Sequence, residues 1–344
     1  MIYFLSDYSQ GALPEVMDAL MKTNMEHTNG YCLDDHCQRA TEIIKGLIGR
    51  KSCDVHYFVG GTPANVTTLT AALRPYEAVV APKTGHIYSH ETGGIEARGH
   101  RIIATSDENG KITSEMVDAA WDEFEDEHTI IPKAVYISNA TENGSVYTKA
   151  ELQALRECCN RRDMYLYMDG ARLAAALTSE ANDLTLEDIA NLTDAFYIGG
   201  TKNGALMGEA LVILNEKLNT NFRWMMKQNF GLLAKGRLLG VQFETLLDGG
   251  HDSLYFKAAR HANQCAKVLR DGLAKLGCEF YGQSATNQVF PIFKTSVVEE
   301  LEKEFVFYRW APEREGKTPV RFVTSWGTKM EDVEALLLAV AKLI

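Results

Sequence analysis

The sequence lacks an excess of basic residues, because 35 Lys and Arg stand against 46 Asp and Glu and give a formal net charge of −11. Nucleic acids and anionic membranes both require a basic surface, so neither is the expected partner. No apolar run approaches the roughly 20 residues of a bilayer-spanning helix. The opening residues, MIYFLSDYSQG, show neither the basic segment nor the cleavage site of a secretory signal. We therefore expect a globular enzyme or binding protein located in the cytoplasm.

Several nucleotide, protease and hydrolase motifs are also missing. There is no G-x-G-x-x-G after a strand and no G-x-x-x-x-G-K-[ST], and neither H-E-x-x-H nor G-x-S-x-G occurs. The seven cysteines are scattered and odd in number, which indicates reduced thiols. Cys32, His36, Cys37, Cys53 and His56 could supply zinc ligands, but they lack the tight C-x-x-C pairs of zinc sites. Incidental placement is favoured, and we expect no metal.

Short apolar strands alternate with amphipathic helices between residues 54 and 214. The strands are predicted at 54–58, 77–81, 101–104, 134–138, 165–169 and 195–199, and the clearest helices at 113–128 and 149–162. This alternation predicts an α/β fold with a mostly parallel, doubly wound sheet flanked by helices. LVIL (211–214) is expected to add an antiparallel strand. Ligands of such sheets bind beyond the carboxyl ends of the strands.

The pattern changes in the C-terminal third of the chain. Two long helices are predicted over 216–249 and 252–276, followed by the short apolar segments CEFYG, QVFPIF, FVFYRW and PVRFVTSW and a helix from Met330. We expect a large α/β domain over 1–250 and a small α+β domain over 251–344. The first 30 or so residues could pack on either domain.

Two residue types at strand ends favour pyridoxal phosphate chemistry. Asp169 ends YLYMD, and Lys202 follows AFYIGG. A carboxylate can keep the pyridine nitrogen of this cofactor protonated, while a lysine forms a Schiff base with it. VGGTPAN (59–65) closes a strand and opens a helix, so its free backbone N–H groups suit the phosphate.

The order of motifs along the chain resembles the threonine aldolase family, within the aspartate aminotransferase-like fold type I of pyridoxal phosphate enzymes. The matching segments are FLSDYSQGALPEVMDAL, NGYCLDD, GGTPAN, GHIYSHETGG, YMDGARL, GGTKNGAL, LLAKGRLLG and VRFVTSW. Each of these segments is weak support alone, but their common order over most of the chain is strong support.

The resemblance implies a role for specific residues. Lys202 would attach the cofactor, Asp169 would pair with its ring nitrogen, and His86 would stack on the ring and assist proton transfer. The phosphate would contact Gly61, Thr62, Thr201 and, from a neighbouring subunit, Lys235. Arg172 would contact both the cofactor and the substrate, and Ser6, Tyr31 and Arg321 would contact the substrate. A structural ion pair is the competing interpretation for the arginines, and a solvated helix lysine is the competing interpretation for Lys235. His90 could position His86 without itself contacting the cofactor or the substrate.

One departure from the family is the stretch SNATENGSVY, where many members carry a second histidine near the substrate hydroxyl. Thr141 and Glu142 stand there instead, so Glu142 or another group could act as the base. The resemblance implies an aldolase that cleaves L-threonine and L-allo-threonine, in a homodimer or homotetramer with its active site at a subunit interface. The alternatives are a β-eliminating lyase, an aldolase for bulkier β-hydroxy amino acids, and a non-catalytic relative.

Overall fold

The computed structural model describes residues 1–50, 52–124 and 126–344, and it has the predicted alternation of strands and helices. The strands are β1 (Ile2–Tyr3), β2 (Asp54–Phe58), β3 (Glu77–Pro82), β4 (Arg101–Thr105), β5 (Ile131–Ser138), β6 (Tyr165–Asp169), β7 (Ala195–Gly199), β8 (Glu209–Ile213), β9 (Glu279–Phe280), β10 (Gln288–Val289), β11 (Pro291–Lys294), β12 (Phe305–Val306), β13 (Tyr308–Arg309) and β14 (Lys317–Val323). The α-helices are α1 (Pro14–Lys22), α2 (Asp35–Leu47), α3 (Gly61–Ala72), α4 (His86–Ser89), α5 (Ser114–Asp122), α6 (Lys149–Arg161), α7 (Leu173–Leu177), α8 (Leu186–Leu192), α9 (Glu216–Asn219), α10 (Phe222–Gln228), α11 (Arg237–Leu247), α12 (Leu254–Lys275), α13 (Thr295–Leu301) and α14 (Met330–Leu343).

The main sheet has the strand order β2-β8-β7-β6-β5-β3-β4. Strands β3 to β7 pair in parallel, whereas β8 runs antiparallel to both β2 and β7. The antiparallel strand expected at LVIL is therefore confirmed, although it begins two residues earlier, at Glu209. The carboxyl ends of the parallel strands share one edge of the sheet, where ligands of this fold class bind.

Both faces of the main sheet are covered, because alternate residues of each strand enter different cores. In β7, Phe196 and Ile198 pack in a core that includes residues of α2, α6 and α8. Ala195 and Tyr197 face the opposite side and pack with residues of α3 and α10. The central strands are buried on both sides, which explains their continuous apolar character in the sequence.

Two predicted helices are wrong in extent. The helix expected over 216–249 is divided into α9, α10 and α11, since Asn221 and Phe230 adopt left-handed backbone conformations that interrupt a right-handed helix. The helix expected over 113–128 ends at Asp122, where further acidic side chains would face the negative end of the helix dipole. Glu125, within that prediction, lies outside the described residues. The helix over 149–162 is confirmed as α6, with a capping box between Thr148 and Glu151.

A second, antiparallel sheet has the order β10-β14-β11-β9, with β13 also paired to β14. Its core contains side chains of α12, α13 and α14. Phe4 joins this core, and β1 pairs with β12 through Ile2 and Phe305. The first residues of the chain therefore lie against its C-terminal third. Within the described ranges, no helix has the length and apolar character needed to cross a bilayer.

Candidate active site

Polar and charged side chains collect where the parallel strands of the main sheet end. Asp169 is the last residue of β6, and Lys202 follows the end of β7 by three residues. His86 opens α4 shortly after β3, and Glu142 lies in the loop after β5. Because these strand ends share one edge, the four side chains converge on one region.

The Asp169 carboxylate is buried and accepts four hydrogen bonds. Its Oδ2 accepts from Asn65 Nδ2 at 2.9 Å and from the Tyr136 hydroxyl at 2.8 Å, while Oδ1 accepts from the Ala171 amide at 3.0 Å and from the Tyr197 hydroxyl. Burial alone would raise the pKa of Asp169, but the charge of His86 and these hydrogen bonds outweigh it and hold the pKa below its usual value. Asp169 is therefore an ionised carboxylate inside the protein.

The His86 ring is oriented by a buried glutamate that the sequence analysis did not single out. His86 Nδ1 lies 2.7 Å from Glu91 Oε1, and the same oxygen accepts from Asn65 Nδ2 at 2.7 Å. Asn65 thereby links the Glu91–His86 pair to Asp169. Burial would lower the pKa of His86, but the hydrogen bond to Glu91 and the charge of Asp169 raise it. The ring is thus fixed through Nδ1, and Nε2 is its free nitrogen.

Tyrosines on three neighbouring strands complete the surroundings of Asp169. Tyr136, Tyr167 and Tyr197 each stand two residues before the last residue of β5, β6 and β7, and all three belong to the same core. The Tyr167 hydroxyl donates to Asn65 Oδ1 at 2.9 Å, and the other two hydroxyls donate to Asp169. The tyrosine that recurs in AVYIS, YLYMD and AFYIG is the sequence signal from which this arrangement could have been predicted.

Lys202 is half-buried, and its Nζ lies 6.0 Å from the centre of the Tyr8 ring. Among the described residues, no carboxylate forms a salt bridge with it. Burial and the neighbouring charge of Arg172 lower the pKa of Lys202. A lowered pKa increases the share of neutral amine, which is the nucleophilic form of lysine.

Arg172 is placed at the same edge but is already paired. Its Nε and Nη2 donate to the two oxygens of Asp7 at 2.7 and 3.0 Å, and Asp7 also accepts from Asn287 Nδ2 at 2.9 Å. The ion-pair interpretation is therefore correct for the Nε and Nη2 atoms of Arg172. Its Nη1 takes no part in the pair and is available to another anion.

Arg321 of β14 has no acidic partner among the described residues. Its guanidinium lies 5.0 Å from the ring centres of both Tyr308 and Trp310, its Nη1 is 3.5 Å from Gln288 Oε1, and its buried Nε has no hydrogen-bond partner. Burial, followed by the charge of Arg172, lowers the pKa of Arg321 to about 10. A guanidinium held by aromatic rings but left without a carboxylate is suited to binding one.

Two loops supply backbone and hydroxyl groups next to these charges. Gly61 and Thr62 form the start of α3, where the first N–H groups of a helix have no partner within the helix. A Cβ on Gly61 would lie 2.7 Å from the Tyr197 hydroxyl, so the loop has no room for a side chain there. Thr201 Oγ1 accepts from the Gly208 amide at 2.9 Å.

The remaining predicted residues are divided between this region and a separate surface. Ser6 is buried next to Asp7, and its hydroxyl bonds Ser9 at 2.8 Å. Tyr31 and Lys235 are exposed, and the Tyr31 amide donates to the Ala234 carbonyl at 3.2 Å. They lie beside each other, and none of the contacts of Tyr31 within the described ranges reaches the groups around Asp169.

The stretch without the family histidine contains no replacement base that faces open space. Thr141 is fully buried and bonds Ser145 at 2.8 Å. Glu142 Oε1 accepts from the Ser138 hydroxyl at 2.8 Å and the His86 amide at 3.0 Å, while its Oε2 is enclosed without a partner. Glu142 therefore supports the backbone of His86. His90 is exposed, with its ring centre 5.6 Å from that of His86.

The residues present fit pyridoxal phosphate. An ionised carboxylate, an unpaired lysine of lowered pKa and a glycine loop at a helix start are the groups this cofactor requires. A pyridinium nitrogen would have to replace one of the four donors to Asp169, and the rotatable hydroxyls of Tyr136 and Tyr197 are the ones that can turn away. By contrast, the described residues contain no group of three or more His, Cys, Asp or Glu side chains placed to hold a metal ion. His36, from the zinc alternative, instead bonds Glu26 and Glu244.

Known protein families and curated proteins resemble this chain over most of its length. A family model described as beta-eliminating lyase matches residues 3–296. A low specificity L-threonine aldolase of Pseudomonas sp. (strain NCIMB 10558) is 32% identical over 97% of this chain and 95% of its own length. A low specificity L-threonine aldolase of Pseudomonas aeruginosa is 30% identical over the same shares.

Solved structures agree with this likeness. A threonine aldolase of Leishmania major superposes with a TM-score of 0.98 at 43% identity, covering 100% of this chain and 99% of that chain. An aspartate aminotransferase of Thermus thermophilus superposes with a TM-score of 0.74 at 17% identity, covering 100% and 92%. The second likeness concerns the fold alone, and it confirms the predicted fold class.

Proposed function

The chain belongs to the beta-eliminating lyase family, and from this premise we propose that it is a pyridoxal phosphate-dependent aldolase that cleaves L-threonine and L-allo-threonine to glycine and acetaldehyde. One observation carries the proposal. A buried, ionised Asp169 and a Lys202 amine that forms no salt bridge among the described residues lie at the ends of the adjacent strands β6 and β7. The names of the similar Pseudomonas and Leishmania proteins support the choice of substrate.

Cofactor binding follows from the groups at the strand ends. When bound, pyridoxal phosphate supplies an electron-withdrawing ring that accepts the electron pair of the broken Cα–Cβ bond. Asp169 would keep the ring nitrogen protonated, and Lys202 would attach the cofactor covalently. Gly61, Thr62 and Thr201 would hold the phosphate through backbone N–H and hydroxyl groups.

Substrate orientation is assigned to two arginines with different duties. Arg321, which lacks an acidic partner among the described residues, would bind the α-carboxylate of the amino acid. Arg172 is locked by Asp7, so its free Nη1 would reach the same carboxylate without reorienting. Ser6 would add a hydroxyl. This clamp would fix the Cα–Cβ bond in the direction from which it can be cleaved.

Proton transfer from the substrate hydroxyl is assigned to His86 Nε2. Glu91 holds Nδ1 and raises the proton affinity of the ring, which suits a general base. Glu142 would act indirectly, through the His86 amide. Because Thr141 replaces the family histidine and is enclosed, nothing in SNATENGSVY distinguishes the two configurations of the substrate hydroxyl, and we expect both diastereomers to be cleaved.

We propose that the enzyme is a homodimer or homotetramer whose active site includes Tyr31 and Lys235 of a second copy. An exposed apolar surface supports this proposal. It consists of large side chains around the contact between Tyr31 and the segment 223–237, namely Met25, Tyr31, Leu33, Trp224 and Phe230. A patch of this kind usually marks an interface between proteins.

The domain division and location are proposed on similar grounds. The main-sheet strands lie within 54–213 and the second sheet within 279–323, which supports a large domain over 1–250 and a small one over 251–344. All seven cysteines are free thiols, which supports a reducing location, the cytoplasm.

The test is an assay of acetaldehyde release from each threonine diastereomer, combined with visible absorbance spectra of the purified protein. We expect release from both, a yellow absorbance band in the native protein, and loss of the band together with a drop in activity of about a thousandfold or more in Lys202→Ala. Lys303→Ala, an exposed lysine paired with Glu300, is the matched control and should keep both properties.

Other outcomes would favour the alternatives. Release of ammonia from a β-substituted amino acid, without acetaldehyde from either diastereomer, would identify a β-eliminating lyase. Cleavage of a bulkier β-hydroxy amino acid, without acetaldehyde release from either threonine diastereomer, would identify an aldolase for larger substrates. A colourless protein that does not bind the cofactor would be a non-catalytic relative.

A further inference from the structure

Glu209 is a buried carboxyl group that the proposed reaction does not use. It is the first residue of β8 and is only 4% exposed. Its Cα pairs with Gly199 on one neighbouring strand and with Phe58 on the other. Those two residues immediately precede the loops that carry Lys202 and Gly61. Glu209 therefore lies between the two loops assigned to the phosphate.

Contacts of the side chain tie it to the same loops. Glu209 Oε2 accepts from the Gly200 amide at 3.0 Å. The Gly208 amide, next to Glu209 in sequence, donates to Thr201 Oγ1. The carboxyl group thus holds the segment that leads into Lys202.

The charges and titratable groups facing Glu209 come from several elements. They are Lys202 in the loop after β7, Asp169 and Tyr167 on β6, Tyr197 on β7 and Tyr255 on α12. Of these groups Lys202 is the cation. Besides the Gly200 amide, the Lys202 ammonium stabilises an ionised Glu209.

A bound phosphate would change this balance. The cofactor phosphate would bring negative charge to the loops next to Glu209. Two anions in a buried region repel each other strongly, whereas a neutral carboxyl group has no net charge to repel a phosphate. Burial, opposed by the nearby Thr201 hydroxyl and the charge of Lys202, raises the pKa of Glu209 to about 8. Protonation near neutral pH is therefore accessible.

We propose that Glu209 is a positioning residue that must be protonated for the two loops to hold a phosphate group, so that phosphate binding to protein in which this carboxyl is ionised takes up one proton from solvent. The inference rests on the proposed function, because it takes these loops as the phosphate site. It adds the expectation that cofactor retention depends on pH because the Glu209 carboxyl titrates.

The experiment measures the affinity of the full chain for inorganic phosphate from about pH 7 to about pH 9.5. Lys202→Ala is the background, since it removes the titration of the lysine. Lys202→Ala also removes the cation that lowers the pKa of Glu209, so in this background the dissociation constant should begin to rise at about pH 8 or above and then approach a tenfold increase per pH unit. In Lys202→Ala/Glu209→Gln it should stay nearly flat, because the amide cannot ionise.

Two features of the experiment isolate the effect of Glu209 ionisation on phosphate affinity. The ionisation of phosphate and of His86 is common to both proteins, so it cancels in the comparison. Lys202→Ala/Glu300→Gln is the matched control, since Glu300 is an exposed glutamate in the C-terminal third of the chain, and it should retain the full slope.

The outcomes separate the two proposals. An equal slope with and without Glu209→Gln overturns the role of Glu209 while leaving the phosphate site intact. Absence of phosphate binding at about pH 7 in every variant overturns the site itself and the proposed function with it. If Glu209→Gln does not fold, calorimetry of phosphate binding to Lys202→Ala in two buffers of different ionisation enthalpy replaces it. Proton uptake at about pH 8.5 is expected, and no uptake would refute the proposal.

Discussion

At the scale of single residues, the site distinguishes two arginines that sequence patterns cannot tell apart. Arg172 and Arg321 are close enough that the charge of one lowers the pKa of the other. Arg172 pairs through two nitrogens with Asp7, whereas Arg321 is held between Tyr308 and Trp310. Arg172 is therefore fixed in place within the protein, whereas Arg321 has no acidic partner among the described residues, which supports its proposed role in binding the substrate carboxylate.

Replacing Arg321 with Gln should weaken substrate binding far more than cofactor binding. A charge-assisted hydrogen bond contributes about 1.5–3 kcal/mol, so we expect KM for threonine to rise by about 10–100-fold. The yellow absorbance should remain, because the cofactor contacts are elsewhere. Steady-state kinetics and absorbance spectra of the variant check both expectations.

Arg309→Gln is the matched control for this variant. Arg309 lies on β13, next to β14, and pairs with Glu302 on the surface. Its loss should leave KM within about twofold of the native value, since exposed ion pairs contribute little. Equal loss of substrate and cofactor binding in Arg321→Gln would instead show that Arg321 is structural.

At the scale of elements, the start of α3 connects the main sheet to the proposed phosphate site. Gly60 and Gly61 follow β2 after a single residue, Val59, and Pro63 occupies the first turn, where its missing N–H costs nothing. The two glycines differ in their surroundings. A Cβ on Gly61 would approach the Tyr197 hydroxyl, which donates to Asp169, while a Cβ on Gly60 would meet nothing within 4 Å.

Gly61→Ala should therefore disturb the cofactor site, and Gly60→Ala should do so much less. The Gly61 methyl group would collide with the Tyr197 hydroxyl, so the loop would have to move and its N–H groups would no longer be placed to bind the phosphate. Loss of one hydrogen bond to a charged group costs about 1.5–3 kcal/mol, so the dissociation constant for pyridoxal phosphate should rise by about 10–100-fold.

Gly60 has an extended backbone that any residue adopts, so Gly60→Ala is a steric control in the same loop. Titration of both variants with the cofactor, followed by absorbance, measures the difference. Similar affinities of the two variants would show that the close approach of Gly61 to Tyr197 has no part in binding.

At the scale of the whole molecule, the exposed apolar surface is the feature that a single chain does not explain. Phe230 is 83% exposed and Trp224 is 73% exposed. Both lie in the segment 223–237, which contacts Tyr31 through Lys227 and Arg223. Large aromatic side chains are enriched at protein interfaces, where they carry much of the binding energy.

The double variant Trp224→Glu/Phe230→Glu should dissociate the proposed oligomer. Two charges in an apolar interface would remain unpaired after assembly, which is costly. Sedimentation should show monomers at concentrations where the native protein is assembled, and aldolase activity should fall with assembly.

Leu338→Glu provides the control for that variant. Leu338 is an exposed leucine on α14, outside the exposed apolar surface, and its replacement should leave the oligomer intact. A monomeric native protein with full activity would contradict the proposal that a second copy contributes to the site.

The alternation of strands and helices and the fold class were determined by the sequence itself, and the proposed chemistry of Lys202 and Asp169 was inferred from it. These features depend on local periodicity and on residue types at strand ends, which neighbouring residues along the chain already specify. The motif containing Asn65 and the one containing Glu91 were likewise visible, although their link through a shared hydrogen bond was not.

Only the tertiary structure decided which charges meet. Asp7 and Arg172 are 165 residues apart in the chain, and Glu209 reaches the Lys202 loop because β8 runs antiparallel to β7. The division of the helix predicted over 216–249 also depends on distant contacts, since Gly231 packs closely against the Phe58 ring. Pairing across a sheet and burial of charge depend on residues that are distant in sequence, so no local pattern contains them.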